Sequence, residues 1–538
     1  MIELKINTKK IKAEEGWTIL KAAEEAGFKV PTLCYYKEIG AITSCFVCVV
    51  EVVGMKNLVP SCTALVKEGM EVFTHTDRVK LARKTALELL LSDHNGDCEA
   101  PCRIGCPANI ESPKFINEIF HKKYREALIT IKKSVPFPGV LGRVCPELCE
   151  KACRRAKVDE PVAICHLHRF VADMDIETKK PYHPEVKEPK GKKVAIIGSG
   201  PAGLSCAYYL RPEGYEITIF DDNGKTGGGL RYGVSREVLP LKVLDGEIKA
   251  ISDMGVKFEY EKRLGRDLHI DSLLKEYSAV FIAIGSKQEN LETARSEGIK
   301  TDDKGIVVNR QTLETNMEGI FAGGDCIQNT GLAVRSMAAG RIAAKSLAQF
   351  LWGKEVTGEK RLFSVRMSGL KTEELKTMML GYNPEKRYLR SLVDGKQLKE
   401  NPGEGRKEFF EQEALYEAAR CMRCDCRKLA SCKLKRHAED SEADWRRYGG
   451  EKKVFGQDYS HPLVVYQSGK CITCGICVKI AEKHKEALGL AFIGRGFAVK
   501  MAVPLKKNMK KALTYAAEEC IANCPTGALS KDEEITRM

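Results

Sequence analysis

Apolar and polar residues alternate from the first position. Met-Ile-Glu-Leu-Lys-Ile-Asn-Thr reads as a half-buried β-strand. A turn and a second strand complete Glu3–Ala13, and an amphipathic helix follows over Thr18–Ala26. The period turns helical again over Ile110–Lys133, where Phe115, Ile116, Ile119, Phe120 and Leu128 supply the apolar positions. Short apolar runs then predict buried strands: Lys193–Ile197, Glu216–Phe220, one ending at Gly285 and one ending at Asp325. The first passes through glycines into a helix at Leu204–Leu210. Residues 355–415 are charged and punctuated by Gly and Pro, as in a linker with exposed helices, and Glu411–Arg420 reads as a helix.

At 538 residues the chain exceeds one core and predicts three to five modules. Its N-terminus lacks the apolar centre of a signal peptide. No uninterrupted apolar stretch is long enough to span a bilayer, so a cytoplasmic protein without a membrane span is expected. Twenty-two cysteines in a reducing compartment point to metal or redox centres rather than disulfides. Nearly all fall in four closely spaced groups; Cys206 and Cys326 stand alone and read as core fillers. The net charge of +14 suits an acidic partner, such as a ferredoxin or a neighbouring subunit. Lys and Arg are dispersed without a recognised binding motif, so nucleic acid is not expected.

The first cysteine group is Cys34, Cys45, Cys48 and Cys62: a tight pair in a loop with one cysteine distant on each side. Four thiolates so spaced can surround two irons and two sulfides, and the small Ala41 and Ser44 let backbone N–H groups approach the sulfurs. A structural zinc site is the competing reading. The group resembles the [2Fe–2S] ferredoxin domain of the large iron–sulfur subunit of respiratory complex I and of iron-only hydrogenases, which implies a β-grasp fold.

The second group runs Cys98, Cys102, Cys106-Pro107, then Cys145-Pro146, Cys149 and Cys153. Gly142–Arg155 (GRVCPELCEKACRR) and Glu160–Ile164 (EPVAI) resemble the N-terminal region of glutamate synthase small subunit and dihydropyrimidine dehydrogenase. That resemblance implies a helical domain with two [4Fe–4S] clusters, one on Cys98, Cys102 and Cys153, the other on Cys106, Cys145 and Cys149. Two ligands depart from the family. His94 stands near the place of a missing first cysteine. His168 stands where Gln or Glu is usual, with Cys165 nearby as a competitor. Each histidine reads either as a ligand or as an ordinary structural histidine.

Lys193–Gly203 carries Gly198-x-Gly200-Pro201-Ala202-Gly203 between strand and helix, and the second strand ends at Asp221. The glycines allow a tight turn and close approach of a pyrophosphate, and the acid suits a ribose hydroxyl. A further glycine-rich loop holds Gly228, Gly229, Leu230 and Arg231, and two strands end at Gly285 and at Gly324-Asp325. These stretches resemble the FAD-binding parts of the glutamate synthase small subunit. The resemblance implies that all thirteen residues surround FAD in a Rossmann-like domain. In that family a second nucleotide-binding domain, for NADPH, lies between the last two strands. Here only 33 residues separate Gly285 from Gly319, and they hold no second glycine fingerprint.

Cys421, Cys424, Cys426 and Cys432 form the third group, able to hold a [4Fe–4S] cluster or zinc. Cys471, Cys474, Cys477, Cys520 and Cys524-Pro525 make the fourth. With Gly494–Phe497 it resembles the two-cluster ferredoxin segment of complex I and hydrogenase subunits. Ala481 occupies one ligand place, which leaves one cluster on Cys471, Cys474, Cys477 and Cys524, with Cys520 as a relic or alternative.

The expected architecture is multidomain, α/β and α+β. It comprises a β-grasp [2Fe–2S] ferredoxin domain (1–92), a helical two-cluster domain (93–185) and an FAD domain lacking the NAD(P)H insertion (186–355). A linker with the third cysteine group (356–445) and a ferredoxin-like [4Fe–4S] domain (446–538) follow. The cofactors implied are FAD, one [2Fe–2S] and three to four [4Fe–4S] clusters. The function implied is that of an electron-transfer subunit of a multisubunit soluble oxidoreductase of hydrogenase, formate dehydrogenase or electron-bifurcating transhydrogenase type. Clusters at both chain ends suggest at least two partners. A stand-alone NAD(P)H-dependent reductase is the alternative, and a scaffold with structural clusters a third.

Overall fold

The computed structural model describes residues 1–178, 181–367, 370–388 and 409–531. The middle of the expected linker lies outside the described residues. The chain gathers into two compact units. The first comprises Met1–Ala100, Phe363–Leu380 and the chain from Cys424 onward; the second comprises Pro101–Leu362 and Gly381–Arg423.

In the first unit the alternating N-terminus forms strands Ile2–Ile6 and Lys9–Ala13, antiparallel as expected. Glu71–Phe73 adds in parallel to the first, followed by Val49–Val52 and Val59–Pro60. The Ile19–Glu25 helix starts on Thr18, whose hydroxyl accepts the Lys21 N–H at 3.2 Å. Its Ile19 and Leu20 are buried with Ile6, Val50 and Val72. This is the β-grasp arrangement. The C-terminal chain builds a small sheet in which Val464–Gln467 pairs with Gln457–Asp458 and Leu529–Lys531. The Asp77–Asp93 helix ties the two parts together through Glu88. Its buried carboxylate accepts the Asp444 N–H at 3.1 Å and faces Arg447 at 3.3 Å.

The second unit contains a parallel five-stranded sheet in the order Lys257–Glu259, Glu216–Phe220, Lys193–Ile197, Ala279–Ile282, Ile320–Ala322. Pro201–Leu210 and Ala333–Leu351 pack closely over it, and a Cβ on Gly340 would stand 2.2 Å from the Ala202 carbonyl. The segment between Gly285 and Gly319 forms one helix, Gln288–Ser296, and isolated bridges only. The helical stretch expected over Ile110–Lys133 is two helices, Ser112–Phe120 and Tyr124–Lys132, broken at Lys122 with φ 57°. Among the described residues no helix is long and apolar enough to cross a membrane.

A buried ionic clamp fastens the Glu411–Ala418 helix to the cysteine-bearing loop of the second unit. Glu417 accepts the Ala163 N–H and the Arg420 guanidinium, both at 2.8 Å. Arg420 also donates to the carbonyls of Glu160, Pro161 and Glu385. Arg155 donates to the Arg420 carbonyl at 2.7 Å and pairs with Asp159. Arg155, Glu417 and Arg420 are all fully buried. Arg420→Ala leaves the Glu417 carboxylate buried without its cation, which costs about 3–5 kcal/mol. Thermal unfolding of the loaded protein followed by circular dichroism is expected to begin at a clearly lower temperature; a wild-type midpoint would show that the clamp does not hold the unit.

Candidate redox sites

The first cysteine group is assembled as two pairs. Cys34 and Cys45 have their Sγ atoms 3.3 Å apart, as do Cys48 and Cys62, and all four are buried. The Ser44 N–H donates to the Cys34 sulfur at 3.3 Å, the backbone approach expected of a small residue there. Hydrogen bonding within each pair lowers one thiol, Cys34 to about 5 and Cys48 to about 6, and raises its partner. Two buried thiol pairs fit a two-iron cluster, one pair for each iron.

Cys471, Cys474, Cys477 and Cys524 line one apolar cavity, as expected. Backbone N–H groups of Thr473 and Leu529 donate to the Cys471 and Cys524 sulfurs at 3.4 and 3.5 Å. Cys520 faces elsewhere, toward the Cys477 carbonyl at 3.6 Å. This cavity neighbours the N-terminal cysteines: Cys34 is among the charged neighbours of Cys474, and Ile42 packs against Gly475.

The run Cys421–Cys432, expected to act as one site, contributes residues to both compact units. The boundary between units falls between Arg423 and Cys424. Cys421 packs on the core of the second unit just beyond the Arg420 clamp. Cys426 and Cys432 lie in the first unit with Cys98, whose carbonyl accepts the Cys426 N–H at 3.0 Å. Burial and these two cysteines push the Cys98 thiol up to about 12. Cys432 has Cys426 and Cys524 as charged neighbours. Cys98 lies in the first unit, and Cys102 and Cys153 lie in the second. Among the described residues no three His, Cys, Asp or Glu side chains converge on a single-ion position.

His94 ends the Asp77–Asp93 helix, buried, with Nδ1 unpartnered. Burial and Lys470, Lys452 and Lys453 hold it down to about 3, so it is neutral. A neutral ring with a free nitrogen fits a metal ligand, and also a structural histidine.

In the second unit Cys106, Cys145, Cys149 and Cys165 share one neighbourhood. The Pro101–Gly105 helix, which carries Cys102, lies so close to the Leu148–Lys151 turn that a Cβ on Gly105 would meet the Ala152 methyl at 2.6 Å. Cys102, Cys153 and Cys421 all pack at the edge of the same core. His168 is buried against Phe115, and both its ring nitrogens lack a partner. Val144, which precedes Cys145, lines the dinucleotide cleft.

That cleft, of about 700 Å³, opens at the C-terminal ends of the parallel strands. Gly198, Gly200, Pro201, Ala202 and Asp221 line it, with Gly228, Gly229, Leu230, Gly285, Gly324 and Asp325. Gly200, Gly229 and Gly285 have nothing within 4 Å of where a Cβ would stand, so bare backbone faces open space where a diphosphate can approach. Asp221 accepts from the Ser199 and Asn223 backbones. Two expected residues do not line the cleft. Arg231 turns inward to the Thr226 carbonyl and Asp245. Gly203 sits under the turn, where a Cβ would stand 1.9 Å from the Gly198 carbonyl. Lys262, Arg263 and Lys287 line the cleft without having been anticipated; none belongs to a motif, and Arg263 pairs with Glu289 at 3.0 Å. Gly203→Ala is therefore expected to yield protein that keeps the N-terminal cluster signal but carries no flavin, measured as flavin released on denaturation. Wild-type flavin content would show that the turn tolerates a methyl group.

Four family models match: a 2Fe-2S iron-sulfur cluster binding domain over residues 1–77, dihydropyrimidine dehydrogenase domain II with a 4Fe-4S cluster over 92–180, an NAD(P)-binding Rossmann-like domain over 196–245, and a pyridine nucleotide-disulphide oxidoreductase domain over 243–340. The NADP(+)-dependent formate dehydrogenase subunit beta of Moorella thermoacetica is 40% identical over 227 residues, covering 38% of this chain and 31% of that one. The NADPH-Fe(3+) oxidoreductase subunit beta of Geobacter sulfurreducens is 39% identical over 208 residues, covering 38% and 30%. The glutamate synthase [NADPH] small chain of Bacillus subtilis is 33% identical over 218 residues, covering 38% and 44%. The chain thus spans less than half the length of these relatives. It is a homologue of the glutamate synthase small chain and of these oxidoreductase beta subunits, with a 2Fe–2S domain, a 4Fe–4S domain and a pyridine nucleotide oxidoreductase-type domain in series.

Proposed function

We propose that this chain is the iron–sulfur flavoprotein electron-transfer subunit of a cytoplasmic multisubunit oxidoreductase, of hydrogenase, formate dehydrogenase or electron-bifurcating transhydrogenase type. It relays electrons between FAD, its clusters and partner subunits. The observation that carries this reading is the adjacency of Val144 and Cys145: one lines the flavin cleft and the next belongs to a buried cysteine group. A two-electron cofactor and a one-electron site then meet across a single residue.

The ligand sets we propose are Cys34, Cys45, Cys48 and Cys62 for [2Fe–2S], and Cys471, Cys474, Cys477 and Cys524 for [4Fe–4S]. Cys106, Cys145 and Cys149 belong to a second [4Fe–4S], Cys102, Cys153 and Cys421 to a third, and Cys98, Cys426 and Cys432 to a fourth. His94 is a candidate for one of the remaining places. Iron, rather than zinc, at Cys426 and Cys432 fits the company of other clusters.

The second reading, a stand-alone NAD(P)H-dependent reductase, is favoured by the names of the relatives and disfavoured by the short segment between Gly285 and Gly319. Metal analysis of the anaerobically purified chain is expected to give about 14–18 irons, the content of one [2Fe–2S] and three or four [4Fe–4S] clusters, and no zinc. Mixed anaerobically with NADH or NADPH, the isolated chain is expected to keep its visible spectrum, while dithionite bleaches it. Rapid, saturable bleaching by either nucleotide would replace the relay reading with the reductase one.

A further inference from the structure

The family resemblance ends the ligand set of one second-unit cluster at position 168, whereas the thiols of the structure end it at position 165. Cys165 lies in the first turn of the Ile164–Glu177 helix and is 5% exposed. Glu150 holds that turn in place, its carboxylate accepting the Cys165 N–H at 2.9 Å and pairing with Arg387. The Cys165 thiol has the thiols of Cys145 and Cys149 as neighbours, and Cys106 neighbours the same two cysteines. Four sulfurs from three separate stretches of chain therefore meet in one buried place.

His168 lies three residues further along the helix, on the same face as Cys165. It is 4% exposed, with its ring centroid 5.2 Å from that of Phe115. Neither ring nitrogen has a hydrogen-bond partner. A neutral imidazole carries one donor and one acceptor nitrogen, so the ring has an N–H without a partner.

We propose that Cys106, Cys145, Cys149 and Cys165 hold this [4Fe–4S] cluster as four thiolates, and that His168 stays off the iron and donates a hydrogen bond to the cluster's sulfur. Each thiol releases its proton to solvent as its iron–sulfur bond forms, with no change of oxidation state. The assignment rests on the reading of the chain as an iron–sulfur protein and departs from the Gln or Glu usual at position 168. It makes His168 a positioning and tuning residue, because a hydrogen bond to cluster sulfur raises the potential.

The test compares full-length wild type, Cys165→Ser and His168→Leu, all purified anaerobically. Cys165→Ser is expected to lose one cluster's iron and sulfide while retaining flavin. His168→Leu is expected to keep the full complement, with one cluster shifted to lower potential in an EPR-monitored titration. A fully loaded Cys165→Ser, or loss of a cluster from His168→Leu, would overturn the assignment. As a check that does not depend on how Cys165→Ser folds, [¹⁵N]histidine-labelled wild type and His168→Leu are compared by electron–nuclear double resonance. Strong nitrogen couplings unchanged between the two support thiolate ligation, and a strong coupling lost in His168→Leu overturns it. A wild-type chain without [4Fe–4S] iron would overturn the cluster reading itself, an outcome distinct from either failure of the assignment.

Discussion

The constraint on which the rest depends is that thiols far apart in sequence must reach the same buried points. In the first unit Cys98 meets Cys426 and Cys432, and Cys432 in turn neighbours Cys524. The cavity of Cys471, Cys474, Cys477 and Cys524 borders the Cys34 loop. Closing loops of hundreds of residues carries an entropic cost that grows slowly with length, and cluster ligation is the kind of bond that offsets it, because ligand binding becomes folding free energy. The two ends of the chain therefore belong to one compact unit. Within it the cysteine groups follow one another: the N-terminal pairs, the C-terminal cavity, then the Cys98 group.

In the second unit the thiols are placed by buried charge. Glu247 accepts the N–H groups of Gly139 and Val140 at 2.8 Å, fixing the start of the Pro138–Val144 helix whose end delivers Val144 to the flavin cleft and Cys145 to the cysteine group. Burial pushes that carboxyl up to about 7, with Lys132 and Arg143 acting against it. Arg143 pairs with Asp173, and Asp173 with Arg169, on the helix that carries Cys165 and His168. Desolvated ion networks of this kind are a poor source of net stability but fix geometry, since any other arrangement leaves a charge buried alone. A relay between flavin and cluster needs fixed geometry more than added stability.

This division explains what could be read from the chain. The β-grasp strands, the parallel strands and the Gly198–Gly203 turn were legible because each is set by a period or a local backbone requirement. The convergence of Cys471, Cys474, Cys477 and Cys524 on one cavity was legible because their spacing is itself a ligand pattern. The groupings that spacing leaves open are those that need tertiary contacts. Spacing groups Cys421 with Cys426, yet Arg420 anchors one to the second unit, while Cys426 bonds to the Cys98 backbone in the first. Arg231 sits in a glycine-rich loop whose sequence says nothing about which way a side chain turns, and Asp245 claims it. Lys262, Arg263 and Lys287 carried no signal at all, because a lone cation is the commonest surface residue until a cleft forms beside it.

Those three cations bear on how the cleft works. They line the same cleft as the open-faced Gly285, and Lys287 lies in the segment where the glutamate synthase-like pattern would insert a nucleotide domain. That segment is one short helix, Gln288–Ser296, and its Asn290 side chain donates to the Ile284 carbonyl at 2.7 Å, holding the helix against the strand end. A short helix thus contributes Asn290 and Thr293 to the lining, and Lys262 and Lys287 add positive charge to it. Such charge favours the phosphates of the flavin nucleotide itself. Val144, also in the lining, leads directly into Cys145. That backbone continuity between the cleft and a cysteine group is the physical basis for reading the chain as a relay.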